Sequence, residues 1–207
     1  MIPQEEIIRV AMNATLLILF CLVHSLLARE FVKAYIEQII HRGFYRFTYV
    51  LLAIFTLTAV MYFWQPIEGF VWHAEDALYW ILNIVSYGCV FGGVYSIYII
   101  NYVDFFGIGS LLPGRKNIPD KPLELSTKGP YAYCRHPMYL FFGLAGFSRP
   151  VMSYGDLEFL IIAAIYIAIA IPLEERNLRN ELGEIYDTYR AHVPAIIPKL
   201  TPWRYIS

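Results

Sequence analysis

The densest chemistry in this sequence lies in one string, Lys128-Gly129-Pro130-Tyr131-Ala132-Tyr133-Cys134-Arg135-His136-Pro137-Met138-Tyr139. Gly129-Pro130 sets a turn. Pro137 is a favoured first residue of a helix, and the free backbone N–H groups of such a start can hold a carboxylate. Arg135 is a permanent cation with a planar donor fork. His136 can donate to a carboxylate or handle a proton. Tyr131, Tyr133 and Tyr139 offer ring faces to a cationic ligand. A small zwitterion with an additional positive centre suits such a loop.

A second string, Glu174-Glu175-Arg176-Asn177-Leu178, closes an apolar run and is followed by Gly183, Tyr186, Tyr189, Arg190, Val193-Pro194 and Pro198. Two carboxylates at the C-terminus of a helix would oppose its macrodipole, so a specific cationic partner is expected for them. His24, Ser25, Asn101 and Asp104 also stand near the ends of apolar runs. Taken singly, each is an interfacial side chain reaching to water. Ionisable groups gathered at one level of a membrane beside a Gly-Pro turn mark a functional site instead.

The elements that must hold these groups are membrane helices. Hydrophobic residues make up 58% of the 207 and charged ones only 16%, in long blocks of the length a bilayer-spanning helix needs. The blocks predict an all-α integral membrane protein with about five spans, near 7–28, 45–64, 77–101, 137–150 and 155–173. The fourth is short for a full crossing, so it is either tilted or partial. Gly88 and Gly92 form either a small-residue surface for close helix approach or two unrelated glycines. No leader peptide is evident, and the three cysteines lack metal-ligand spacing or a disulfide pattern; no metal site is expected.

Lysine and arginine place these spans. Of 16 basic residues, 14 fall in the segments 29–46, 102–135 and the tail, which a five-span chain puts on one side. The positive-inside tendency makes that side cytoplasmic, with the N-terminus outside. The expected organisation is a single membrane domain over 1–207, with a cytoplasmic cofactor loop at 102–136 and an amphipathic cytoplasmic tail at 174–207 completing the site. A net charge of −1 gives no basic surplus for nucleic acid.

The Gly-x-Tyr-x-x-x-Arg-His-Pro-x-Tyr segment (129–139) and the Glu-Glu…Gly-x-x-Tyr-x-x-Tyr…Val-Pro…Pro segment (174–198) resemble the membrane methyltransferases grouped with isoprenylcysteine carboxyl methyltransferase. His24-Ser25-Leu26-Leu27-Ala28-Arg29, Tyr45-Arg46, Tyr49, Trp64-Gln65-Pro66 and Asp104-Phe105-Phe106-Gly107 look like the NnrU-type branch, which includes enzymes that methylate methanethiol to dimethyl sulfide. The resemblance implies S-adenosylmethionine as methyl donor. It assigns the backbone of Gly129, Pro130 and Tyr131, with His136, Tyr139 and Glu174, to the cofactor, and Arg135 and Glu175 to the acceptor side. Membrane lipid surrounds the chain, and no protein partner is implied.

The reaction so implied joins a thiolate to a sulfonium methyl and removes two opposite charges, which favours a dry site. A free thiol is mostly protonated near neutral pH. Arg135 would stabilise the thiolate, and His24 or Glu175 would accept its proton. Three alternatives stand beside this reading: a prenylcysteine carboxylate or phospholipid amine as acceptor, a nicotinamide-dependent reductase of related fold, and a non-enzymatic membrane protein.

Overall fold

The computed structural model describes residues 3–39, 42–111 and 125–203, excepting the side chains at 42, 43, 104, 110 and 111. The middle of the expected cofactor loop, 112–124, with Arg115, Lys116 and Lys121, lies outside the described residues, as does Arg204 of the tail. The chain resolves into two compact units, which share helix α7.

The first unit contains α1 (Gln4–Leu27), α2 (Glu30–Ile36), α3 (Arg42–Phe63) and the beginning of α7 (Tyr154–Leu182). Glu5 and Glu6 in the first turn of α1 complement its dipole. Asn13, Leu17 and Cys21, spaced by four, form its buried face. Leu17 and Cys21 pack with Val60 of α3, and Trp64, Phe159 and Ile162 close around them. Above this apolar core, Asn13 is fully buried and stitches three segments together. Its Nδ2 donates to Gln65 O at 2.9 Å and Glu158 Oε2 at 3.3 Å, and its Oδ1 accepts from Gln65 N at 2.8 Å. Below the core, Ser25 and Tyr166 share a hydrogen bond of 3.0 Å. A short helix α5 (Tyr102–Phe105) leads to Gly107, whose positive φ of 69° lets its backbone lie directly on that of Arg46 and Phe47.

In the second unit, α4 (Asp76–Ile99) runs antiparallel to α6 (Pro137–Phe147). Ser86 donates to Ala145 O at 2.8 Å, and Gly92 and Gly93 face the rings of Phe141 and Phe142. Only a glycine surface lets those two rings approach so closely. Gly88 meets no neighbour within 4 Å, so the close-approach pair is Gly92-Gly93 rather than Gly88 and Gly92. Past α6, Pro150 O accepts from Ala74 N at 2.8 Å, beside the start of α4. A two-stranded ribbon, β1 (Phe70–His73) with β2 (Val151–Ser153), follows there.

Four helices among the described residues, Gln4–Leu27, Phe44–Phe63, Asp76–Ile99 and Tyr154–Leu182, are long and apolar enough to cross a bilayer. The protein is an all-α integral membrane protein. The expected fourth span is the exception. Its helix has 11 residues, which cover only about 16 Å. With its flanking turns, however, the segment 129–150 follows α4 from Tyr95 and Ile99 back to Ala74. A second difference concerns α7, which continues past Pro172 to Leu182 instead of ending near 173. Glu174 and Glu175 are therefore interior helical residues, and the dipole argument applied to them in the sequence does not hold.

Candidate active site

All but one of the expected site residues fall in the second unit. Gly129–Ala132 forms a 3₁₀ turn with Gly129 at φ 56°, and Pro137 starts α6 immediately after His136. The tail is laced to this segment. Arg135 N donates to Pro194 O and His136 N to Ala195 O, both at 2.9 Å. Trp203 N donates to Ala132 O at 2.9 Å and Lys199 N to Tyr133 O at 3.2 Å. Helix α8 (Glu184–His192) supplies the packing beneath. Tyr186, Tyr189 and Val193 fall on one of its faces and are buried together, and Tyr189 Oη donates to Tyr131 O at 2.6 Å.

Glu175 is the hub of the site. Its Oε1 lies 2.7 Å from both Nε and Nη2 of Arg135 and 3.1 Å from His136 Nε2. Its Oε2 lies 3.3 Å from Arg190 Nε. Arg135 and Glu175 are nearly inaccessible, whereas Arg190 is half exposed. Arg135 also uses Nη1, which donates to the carbonyls of Arg190 and Val193. A buried carboxylate and guanidinium satisfied in this way hold α7, the 135–136 segment and the tail in one geometry. Neither is left as a free charge.

Glu174 is different. Its side chain is 46% exposed, one oxygen accepts from Tyr139 Oη at 3.2 Å, and His136 Nδ1 stands 3.8 Å away. The rings of His136 and Tyr139 are stacked, 5.7 Å between centroids and 16° between planes. Glu174 is thus an accessible carboxylate at the edge of a stacked pair of rings, met by the Tyr139 hydroxyl and the His136 Nδ1. Burial pushes the Cys134 thiol up to about 11, and burial with the Glu174 charge pushes the Tyr131 phenol well above its usual range.

His24 belongs to the first unit, where Tyr49 Oη lies 2.9 Å from its Nε2 and Phe20 stacks on its ring. Ser25 bonds Tyr166 there, and Asn101 ends α4 with a positive φ of 70°. The side chain of Asp104 lies outside the described residues. The three cysteines are free thiols, with Cys21 and Cys134 buried. Two members of the second string gain a role that the sequence did not assign them. Arg190 and the Val193 carbonyl reach Glu175 and Arg135, each four residues past a buried tyrosine, Tyr186 and Tyr189.

No family model matches the chain, and no solved structure matches it significantly. Among curated proteins it is similar to methanethiol S-methyltransferase of Crocosphaera subtropica, 33% identical over 94% of this chain and 77% of the relative. The enzyme of the same name from a Pseudomonas species is 34% identical over 92% and 74%. Methanethiol S-methyltransferase 1 of Bradyrhizobium diazoefficiens is 34% identical over 94% and 67%. Identity at this level along nearly the whole chain is enough to place it: this protein belongs to the methanethiol S-methyltransferase family.

Proposed function

We propose that the protein is an S-adenosylmethionine-dependent membrane methyltransferase that converts a small thiol, methanethiol, to dimethyl sulfide. The observation that carries this reading is the open Glu174 carboxylate beside the His136–Tyr139 ring stack, in a chain whose relatives at this identity are named for methylating methanethiol. The donor is a cation at both its sulfonium and its ammonium, and it carries a carboxylate. Glu174 and the two rings suit its positive centres. His136 and the Gly129 backbone suit its carboxylate, with Pro130 and Tyr131 shaping the turn around it. When bound, the donor supplies an electrophilic methyl group.

The residues of this chain do the rest. Arg135 and Glu175 serve by fixing the frame, since their polar atoms are occupied by protein partners. In this reading they act beside the acceptor side that the resemblance implied for them, by holding it in place. The step would gain from exclusion of water when the substrates are bound, because water stabilises the separated charges of thiolate and sulfonium more than the transition state. The proposed role of His24 as proton acceptor rests on imidazole chemistry alone, and a His24→Asn variant with a lowered rate at unchanged donor affinity would support it. The charge distribution supports five spans with the N-terminus outside and the site facing the cytoplasm. The antiparallel run of α6 along α4, ending where Pro150 O meets Ala74 N, supports counting 137–150 as a crossing.

The test is an acceptor panel with purified protein and S-adenosylmethionine: methanethiol, a farnesylcysteine analogue and a phospholipid amine. Volatile sulfide from methanethiol alone supports the assignment. Methylation of either larger acceptor, with none of methanethiol, would keep the methyltransferase and discard the small-thiol substrate.

A further inference from the structure

We infer that the tail segment around Ile197–Leu200 is a membrane-surface anchor, seated in the boundary between headgroups and acyl chains at the end of the molecule that carries the site. Ile197 is 82% exposed and Leu200 is 98% exposed, although the tail is otherwise well packed through Tyr186, Tyr189 and Val193. Two large aliphatic side chains held out in a fixed backbone gain from an apolar phase that removes their surface from water.

The tail's backbone is fixed at this point. It is bonded to the 132–136 segment through Pro194, Ala195, Lys199 and Trp203, so Ile197 and Leu200 cannot turn inward without breaking that lacing. The same bonds place it in depth. His136 N donates to Ala195 O, and the next residue, Pro137, begins the apolar helix α6. Two residues past Ala195 the chain is therefore level with the entry of α6 into the apolar phase. That level, beside the start of an apolar helix, selects a bilayer as the occupant over a soluble partner. The alternation of apolar Ile197 and Leu200 with Lys199, whose Nζ is held by His192 O at 2.9 Å, is that of an interfacial segment keeping its charge toward water. The consequence is mechanical: bilayer contact at 197–200 braces the segment that carries Arg135 and His136.

The experiment uses the full chain in nanodiscs of phosphatidylethanolamine and phosphatidylglycerol. Ile197→Cys, Leu200→Cys and, as an exposed control on α8, Glu184→Cys are spin-labelled separately, and the signal of the parental protein is subtracted. The ratio of oxygen to nickel-chelate accessibility at 197 and 200 should exceed that at 184 severalfold. Ratios equal to the control at both positions would overturn the anchor. So would protection from both reagents with dipolar broadening that vanishes on dilution with unlabelled protein, which would assign the patch to a second copy. Two label sites keep the test decisive if one variant fails to fold.

Discussion

Replacing Glu175 by glutamine removes one charge from the point where three basic side chains converge. The cost follows from burial. Arg135 is 9% exposed at its side chain, so the guanidinium cannot recover its lost counter-charge from water. Breaking a buried pair in this way costs about 3–5 kcal/mol. Glutamine still offers a carbonyl to Nε, which puts the loss near the lower end, about 3 kcal/mol. For a chain of this size each kcal/mol moves a melting point by about 2–4 °C, so Glu175→Gln should melt about 6–12 °C below wild type. Arg190 meets the same carboxylate at 3.3 Å but is 47% exposed. Arg190→Ala should therefore cost no more than about 1 kcal/mol. The assay is the temperature at which the detergent-solubilised protein leaves the monodisperse peak on size-exclusion chromatography. A Glu175→Gln protein melting within about 2 °C of wild type, or an Arg190→Ala protein hurt equally, would refute the claim that a buried Arg135–Glu175 pair holds the frame.

Three other outcomes are expected. His136→Ala should weaken S-adenosylmethionine binding by about 10- to 150-fold, the worth of one charge-assisted hydrogen bond, and calorimetry that finds unchanged affinity in a folded variant would remove His136 from the site. Cys134, with its pKa raised to about 11, stays protonated below that pH, so its maleimide labelling should be slow at pH 8 and climb about tenfold per pH unit up to pH 10. Labelling at the rate of a free cysteine at pH 8 would contradict its burial. Gly107→Ala should lower the melting temperature well below that of Gly88→Ala, because a Cβ at 107 would stand 2.5 Å from Phe47 N whereas none is hindered at 88.

What the sequence made legible was local. The Gly129-Pro130 turn, the helix start at Pro137 and the long apolar helices depend on residues next to one another, and each is found where its chemistry put it. The end of α7 was misjudged for a physical reason. Hydropathy falls after Leu173 because the surroundings of the side chains change there, while the backbone hydrogen bonding continues through Pro172 to Leu182. Hydropathy reports the solvent and not the helix. Contacts across long separations were hidden as well. Asn13 reads as one polar residue in an apolar run until Gln65, at the end of α3, supplies both of its backbone partners. Glu175 reads as half of a carboxylate pair, yet the fold separates the two. One is sealed by Arg135 and His136, and the other is left half exposed beside Tyr139. That division, which no spacing rule announces, is what leaves Glu174 accessible while Glu175 is sealed.

The most direct measurement of the central claim follows the transferred methyl group. Purified protein in nanodiscs is given methanethiol and S-adenosylmethionine carrying a trideuterated methyl, and the headspace is analysed by mass spectrometry. Trideuterated dimethyl sulfide, formed by the wild type and strongly reduced with Glu174→Gln, is the result the account predicts. Absence of labelled sulfide from well-folded wild-type protein with both substrates saturating would contradict it.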